Sequence, residues 1–378
     1  MEKLVIDGGP CSGKTTGLAI LAEKLLEKGI IPIIVPEAAT LLIQSGIDSK
    51  MMKGISFQSC LLKLQLNNEE YWDNISSVLA DVHDKRVVLL CDRGLLTGSA
   101  YVDLPQEKNN QLEFFQHKIL HNFDLNVEKI RSEYLGIIHM VTAADGALDY
   151  YTLENNSART ETPEEAILLD QRTQKAWLGH SHLAVVSNSD KLGNSINFEQ
   201  KINRVIEETF RILGIPVPIE LEDKFKLKSF NPEKLPVPYE KIDITQTYLI
   251  PKNHEGEERI RERNWNGYSS YFHTIKNPGP DGGRFEIERL ISFEQYKELE
   301  KRYYPESTVI IKTRYCFVWN SQYFEVDVFD SPSNGLILME REKTDKNDTT
   351  ELPNFIDIEK DVTHSGEYSN FKISMANC

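Results

Sequence analysis

Five short apolar runs punctuate the first half of the chain: LVID at 4–7, IIPIIV ending at Val35, VVLLC at 87–91, IIHMVTA at 137–143 and LAVVSN at 183–188. Stretches of helical character separate them. The first, GLAILAEKLLEKG, repeats Leu18, Leu21 and Leu25 at helical spacing before a stop at Gly29. Apolar strands that alternate with helices predict βα units around a buried parallel sheet. In such sheets ligands lie beyond the carboxyl ends of the strands, so the residues closing each run are the first candidates for chemistry.

The pattern changes after a last helical stretch, NFEQKINRVIEETFRILG, which ends at Gly214 and is followed by the two prolines of IPVPIE. A boundary there gives residues 1–215 and 216–378 as two domains. Beyond it polar and apolar positions alternate, and the polar ones are charged. In PIELEDKFKL, residues 218–227, Glu220, Glu222 and Lys224 share one side while Ile219, Leu221 and Phe225 mostly line the other. Arg259, Arg261 and Arg263 do the same in EERIRER, Glu286 and Glu288 in RFEIERL, and Lys312 and Arg314 in VIIKTRY. Glu325 and Asp327 follow in YFEVDVF, then Glu340 and Glu342 in LILMERE. One such strand suits any half-wet sheet. Repeated across a domain, it suggests a shared charged interior, which an antiparallel barrel provides because its strands alternate inside and outside. The expected fold is α/β plus β-rich: a parallel sheet with flanking helices, then an antiparallel eight-stranded tunnel barrel.

Composition adds limits. At 378 residues, 40% hydrophobic and 27% charged, the chain suits two soluble globular domains. No apolar run approaches membrane-spanning length, and MEKLVIDGG lacks the regions of a signal peptide, so a cytoplasmic protein is expected. The five cysteines have no metal-ligand spacing and an odd number, which suits reduced thiols. A net charge of -15 makes nucleic acid an unlikely partner, although a local basic pocket is compatible with it.

The strand–loop–helix at the start carries the most specific motif. Gly8 to Thr15 satisfies G-x-x-x-x-G-K-[ST], the P-loop, with Gly8, Gly13, Lys14 and Thr15 in the defining places and Thr16 next to them. Its glycines let backbone N–H groups converge on phosphate oxygens; Lys14 adds charge, and the Thr15 hydroxyl can ligate Mg2+. The second strand ends in PEAAT and the third in CDRG. Glu37 is a candidate general base or ligand-positioning carboxylate, or equally a helix cap. Asp92 occupies a Walker-B-like place for Mg2+, and Arg93 can meet phosphate. Residues 154–182 read as a lid, with Thr162, Pro163 and Glu165 as a helix start and Arg159 placed to swing towards a nucleotide. Arg172 suits a solvated helix face, and His180 and His182, without a third partner, suit structural roles.

GGPCSGKTT, PEAAT, CDRG and TAADGALDYYTLENNSARTE together resemble the P-loop kinase-like ATPases of the AAA_28 group, relatives of nucleoside and nucleotide kinases. In the second half, Glu220, Glu222 and Lys224 match the E-x-E-x-K signature of the CYTH domain, the triphosphate tunnel metalloenzyme fold, and QTYLI, IKTRY and KDVTHSGEYSN resemble its later segments. The resemblance implies metal at Glu220, Glu222 and Glu342, with Glu340 beside them. It implies phosphate at Lys224, Arg259, Arg261, Lys276, Lys312 and Arg314, with Glu288 and Asp327 as further tunnel acids. Asp361 departs from the usual glutamate, and a final basic position is open between Lys372 and none. The two modules in tandem resemble the TRPL translocation defect family.

Two functions follow as expectations. In the first, the tunnel hydrolyses inorganic polyphosphate or a nucleoside triphosphate with Mg2+ or Mn2+, while the front domain binds ATP or GTP and transfers phosphate to a small acceptor, as a nucleoside kinase would. In the second, the protein is a nucleotide-gated receptor whose tunnel holds a phosphorylated ligand or protein partner.

Overall fold

The structure is a computed structural model that describes residues 2–47, 51–52, 54–104, 110–151, 161–190, 193–215, 222–251, 256–278, 284–343 and 348–375. The chain divides into two compact units, Met1–Thr209 and Phe210–Cys378.

Each of the five apolar runs forms a strand. β1 (Glu2–Asp7) leads through a glycine loop into α1 (Lys14–Glu27), followed by β2 (Ile31–Val35), α2 (Ala38–Gln44) and the long α3 (Ile55–His83). Then come β3 (Val87–Asp92), α4 (Gln111–Lys118), α5 (Val127–Glu133), β4 (Gly136–Met140), α6 (Pro163–Ala176), β5 (Leu183–Val186) and α7 (Phe198–Leu213). The strands form one parallel sheet in the order β2-β3-β1-β4-β5. Leu4, Val5, Ile6, Leu89, Leu90, Ile137 and Ile138 have no exposed surface. Burying each such side chain contributes roughly 1.5–3 kcal/mol, which explains why the strands are apolar on both faces. From β1 the chain builds β2 and β3 on one flank and then crosses to build β4 and β5 on the other. That reversal puts a crevice at the carboxyl end of β1, where the glycine loop begins.

The start of α6 is as expected. Thr162 Oγ1 accepts from the Glu165 amide at 3.2 Å, Glu165 Oε2 accepts from the Thr162 amide at 2.8 Å, and Pro163 takes the first helical position. Arg159 lies outside the described residues.

The second unit contains β6 (Glu222–Ser229), β7 (Tyr239–Leu249), β8 (Glu257–Trp265), β9 (Tyr268–Pro278), β10 (Arg284–Ile291) and α8 (Phe293–Glu300). β11 (Ile310–Trp319), β12 (Gln322–Ser331), β13 (Ile337–Glu342), β14 (Asp357–Asp361) and α9 (Asn370–Met375) complete it. Its strands form one antiparallel sheet of nine, in the order β10-β9-β8-β7-β11-β12-β13-β6-β14. The count exceeds the expected eight. β14, short and largely exposed, lacks the apolar alternation that marks the other strands. Local turn chemistry fixes the register: Asn266 and Gly267 both take positive φ, 49° and 86°, and close the β8–β9 hairpin with a twist that matches the strands.

One face of this sheet is apolar where Phe225, Leu227, Phe317, Phe324, Val326 and Met339 pack together. The other carries the charges. Register places Arg314 opposite Asp327, Glu325 opposite Glu340, and Glu340 opposite Lys224, so these side chains share a face. Arg259, Arg261 and Arg263 lie opposite Tyr248, Gln246 and Ile244 on the same side. At one end that face turns apolar, where Tyr248, Phe329 and Leu338 meet Val362 and Ile373 of α9.

Candidate functional site

The loop between β1 and α1 is built by glycine. Gly8 has φ +146°, and a Cβ there would stand 2.1 Å from the Met140 carbonyl oxygen; at Gly13, φ +89°, it would stand 2.5 Å from the Phe198 ring. The loop therefore packs directly on neighbouring elements and delivers the free first-turn N–H groups of α1 to the crevice. Lys14 is buried there, its ammonium donating to the Gly8 and Gly9 carbonyls at 3.1 and 3.3 Å. Burial and then the Arg93 charge lower its pKa. Thr15 and Thr16 join Lys14 along a cavity of about 390 Å³, whose rim carries the exposed aromatics Tyr150 and Phe198. A phosphorylated ligand bearing a flat ring matches this lining.

Arg93 joins the loop to the neighbouring strands. It has a left-handed φ of +72°, uncommon for a side chain of this size and frequent at functional positions. Its amide donates to the Ile6 carbonyl at 3.1 Å, and its carbonyl accepts from Gln65 Nε2 at 2.8 Å. The guanidinium reaches Glu37 Oε1 at 2.5 Å and the Gly8 carbonyl at 3.3 Å. Burial alone would raise the pKa of Glu37, but Arg93, Lys14 and the Thr40 hydroxyl outweigh it and bring the carboxyl down to about 2. A carboxylate held so low is a weak base in this arrangement, and its contact with Arg93 fixes the guanidinium beside the loop.

Asp92 fits a cation. Its Oδ1 is buried with no hydrogen-bond partner among the described residues, and burial raises its pKa. With the Thr15 hydroxyl, an orphaned oxygen next to a phosphate loop is the donor set that Mg2+ takes, since that ion uses few protein oxygens and completes its shell with phosphate and water.

Several residues that shape this loop went unread in the sequence. Asp7, fully buried, accepts from the Gly8 amide at 2.8 Å and from Trp177 Nε1 at 2.6 Å. Asp170 of α6 accepts from the Gly9 amide at 2.6 Å and the Thr142 amide at 3.1 Å, and lies 3.1 Å from His139 Nε2. Asp7 could have been noticed as the acid closing an apolar strand, and Asp170 as an acid on the buried stripe of α6 with Ala166 and Thr173. His180 has a structural role: its Nε2 meets the Tyr134 carbonyl at 3.0 Å, and its Nδ1 accepts from the His182 amide at 3.0 Å.

In the second unit the charged face is dense and mostly buried. Lys224 Nζ lies 3.0 Å from Glu222 and 2.9 Å from Glu340, which raise its pKa against the opposing effect of burial. Asp327 accepts from Lys312 and, through both oxygens at 2.7 Å, from Arg314. Burial pushes Asp327 up, but Arg314 and Lys312 hold it below the carboxylate range. Burial brings Lys312 down to about 8 against the pull of Asp327. Arg314 also binds Glu325. Arg261 has longer contacts, the neutral Gln246 Oε1 at 3.3 Å and the acid Glu288 at 3.5 Å. Burial, then Arg259, Arg314 and Arg263, lower it to about 10, only partly offset by Glu288.

Of the other expected residues, Glu342 lies opposite Glu222 in the β13–β6 register. Lys276 lies opposite Glu257 in the β8–β9 register, and Glu342 Oε2 accepts from Arg211 Nη1 at 2.7 Å. Glu220 lies outside the described residues. Among the described residues, no three His, Cys, Asp or Glu side chains converge as a metal site, and no helix is long and apolar enough to cross a membrane.

Comparison with known proteins gives one family. The AAA_28 model, described as an AAA domain, matches residues 3–193. No curated protein matches the chain. Among solved structures, the inorganic triphosphatase NE1496 is 24% identical, covers 41% of this chain and 94% of its own, and has a TM-score of 0.31. PH1819 from Pyrococcus horikoshii is 21% identical, covers 34% of this chain and 80% of its own, and has a TM-score of 0.26. A putative adenylyl cyclase from Hippeastrum, described as having a dominant triphosphatase activity, is 15% identical, covers 34% and 80%, and has a TM-score of 0.28.

Proposed function

Because the chain belongs to the AAA_28 family of AAA domains, a nucleotide-binding family, we propose that residues 1–215 bind ATP or GTP with Mg2+. We propose further that residues 216–378 form a channel that binds and hydrolyses a triphosphate, either inorganic tripolyphosphate or the chain of a nucleoside triphosphate. The observation that carries the second half is the crowding of buried cations on one face of the sheet, where Arg259, Arg261 and Arg263 of β8 stand across β7 from Lys312 and Arg314 of β11. A protein bears such repulsion at a site built for a polyanion, because the ligand relieves it.

In the first unit Lys14 and the N–H groups of the loop bind the β- and γ-phosphates, Arg93 lies against the same oxygens, and Thr15 with Asp92 holds Mg2+. The ion's chemistry is to neutralise the phosphate oxygens. Arg159 is assigned to the same nucleotide as a lid residue.

In the channel Arg259, Arg261, Lys276, Lys312 and Arg314 take the phosphate oxygens as charge-assisted hydrogen-bond donors. Lys224 exchanges its carboxylates for phosphate as the triphosphate enters with its Mg2+ or Mn2+. Glu220, Glu222, Glu340 and Glu342 are assigned to that cation, a set that is complete only with Glu220.

A second reading has one observation in its favour. Glu222 and Glu340 share the single charge of Lys224, an arrangement that serves a receptor as well as an enzyme. The protein is then a nucleotide-gated binding protein whose channel retains a phosphorylated ligand. Phosphate release from tripolyphosphate, ATP and GTP, with Mg2+ and with Mn2+, separates the readings when the unaltered chain is compared with Lys14→Ala and Glu222→Gln. Loss in Glu222→Gln alone supports the channel as catalyst; loss in Lys14→Ala alone assigns turnover to the P-loop, as in a nucleoside kinase; no release leaves the receptor.

A further inference from the structure

Lys201 is an unusual lysine. It sits on α7, 3% exposed, and its ammonium makes three hydrogen bonds. It donates to the Ser12 carbonyl at 3.1 Å, the Val141 carbonyl at 2.6 Å and Asn188 Oδ1 at 2.7 Å. These acceptors come from three separate loops, those after β1, β4 and β5. Asn188 extends the junction, donating through Nδ2 to the Thr142 carbonyl at 2.7 Å and the Asp145 carbonyl at 2.6 Å. On the other side of the same loops, Asp170 takes the Gly9 and Thr142 amides. The phosphate loop is thus held to the exit of β4 by a buried cation gripping carbonyls and a buried anion gripping amides. Lys201 also lines the nucleotide cavity without being among the residues of the P-loop motif.

We infer that Lys201 is a positioning residue for nucleotide binding: its charge fixes the Ser12 carbonyl of the loop and adds positive potential where the phosphates bind. This rests on the reading of the first unit as a nucleotide-binding domain. The physical case is that a buried ammonium costs several kcal/mol of desolvation unless it is fully bonded, and three acceptors satisfy all three of its protons. A neutral residue of similar size would spare that cost but would lose both the three-way link between loops and the charge at the cavity. The charged groups facing it are Lys14 on α1 and Asp170 on α6.

The test is the affinity of the full-length chain for ATP and for GTP with Mg2+, by calorimetry, from pH 7 to 9.5, for the unaltered protein, Lys201→Met and Lys201→Arg. Burial lowers the Lys201 pKa to about 8, so the unaltered protein should lose affinity as pH rises through that region. Lys201→Met should bind at least tenfold more weakly at pH 7, with a flat profile. Lys201→Arg, charged throughout, should keep most of the affinity and lose the step. If Lys201→Met fails to fold, the profile of Lys201→Arg decides alone. With ATP, whose base does not ionise in this range, a step that persists in Lys201→Arg overturns the inference, as does a folded Lys201→Met with unaltered affinity. Absence of binding by the unaltered protein to either nucleotide removes the nucleotide reading and this inference with it, an outcome distinct from intact binding that ignores Lys201.

Discussion

Arg93 Nε donates to Glu37 Oε1 at 2.5 Å, tying the turn after β3 to the turn after β2 across 56 residues of chain. The pair is mostly buried, with Asp7 as a more distant third charge at 3.5 Å. Glu37→Gln leaves the guanidinium with Asp7 as its remaining charged contact beside the Gly8 carbonyl and should destabilise the chain by about 3 kcal/mol, as breaking a buried pair does. The acid side gives a check on sign. A carboxyl lowered from its usual 4.5 to about 2 contributes stability that is present above 4.5 and lost as pH falls through 2. Urea unfolding should show the two proteins diverging across that window and converging below it; equal stability at pH 7 would refute the coupling.

Gly8 and Gly29 both take positive φ, but only Gly8 is crowded. A Cβ at Gly29 meets nothing within 4 Å, whereas at Gly8 it meets the Met140 carbonyl oxygen at 2.1 Å. Gly29→Ala should cost about 1 kcal/mol through φ alone and leave nucleotide binding intact. Gly8→Ala must displace the loop, and should abolish nucleotide binding. Retained binding in Gly8→Ala would mean that the loop geometry does not hold the phosphate.

This contrast also marks what could be read from the sequence. The glycines, Lys14 and Thr15 are legible because the motif is local: strand, turn and helix N-terminus follow one another within a few residues. The charged face of the second unit is legible for the same kind of reason, since alternation along a strand reports which side chains share a side. What local pattern lacks is partnership. Lys224 is expected to meet phosphate, and the structure shows it between Glu222 and Glu340, one of them 116 residues away. Asp170 bonds Gly9 across 161 residues, and nothing near position 170 announces it beyond an acid on a buried stripe.

Asp92 carries the prediction for metal removal. Its orphaned buried oxygen should make Mg2+ strengthen nucleotide binding in the unaltered chain. Asp92→Asn should bind nucleotide with and without EDTA at the same, weaker level. Because burial raises the Asp92 pKa, the Mg2+ benefit should fade on acidification earlier than it would for an exposed aspartate. An Mg2+ effect that survives Asp92→Asn would place the ion elsewhere.

Arg261 should show a trade between function and stability. Removing one buried cation from a cluster of like charges relieves repulsion, so Arg261→Gln should leave the unliganded melting temperature equal or higher. Tripolyphosphate affinity should fall at least tenfold in the same variant, with a shallower dependence on salt because one fewer cation meets the phosphate. A variant that is less stable and binds as before would show that Arg261 is a structural residue satisfied by Gln246 and Glu288.

Asp327 is the opposite case, an anion on which the cluster depends. It has no exposed surface and binds both Lys312 and Arg314, themselves buried. Taking all three out of water costs several kcal/mol per ion, and the mutual attraction offsets this only while both signs are present. Asp327→Asn keeps the shape and removes the charge, leaving two buried cations with Glu325 and Glu340 as nearby acids. The expected loss is about 3–5 kcal/mol, read as a lower urea midpoint, and Lys312, already at about 8, should be driven lower still. Stability of the variant should therefore recover partly as pH rises and Lys312 releases its proton. Added tripolyphosphate should recover more of it, because the ligand supplies the missing negative charge. If the Asp327→Asn midpoint is unchanged, or if tripolyphosphate stabilises it no more than it stabilises the unaltered chain, the charged face is not an anion site poised by its own acids.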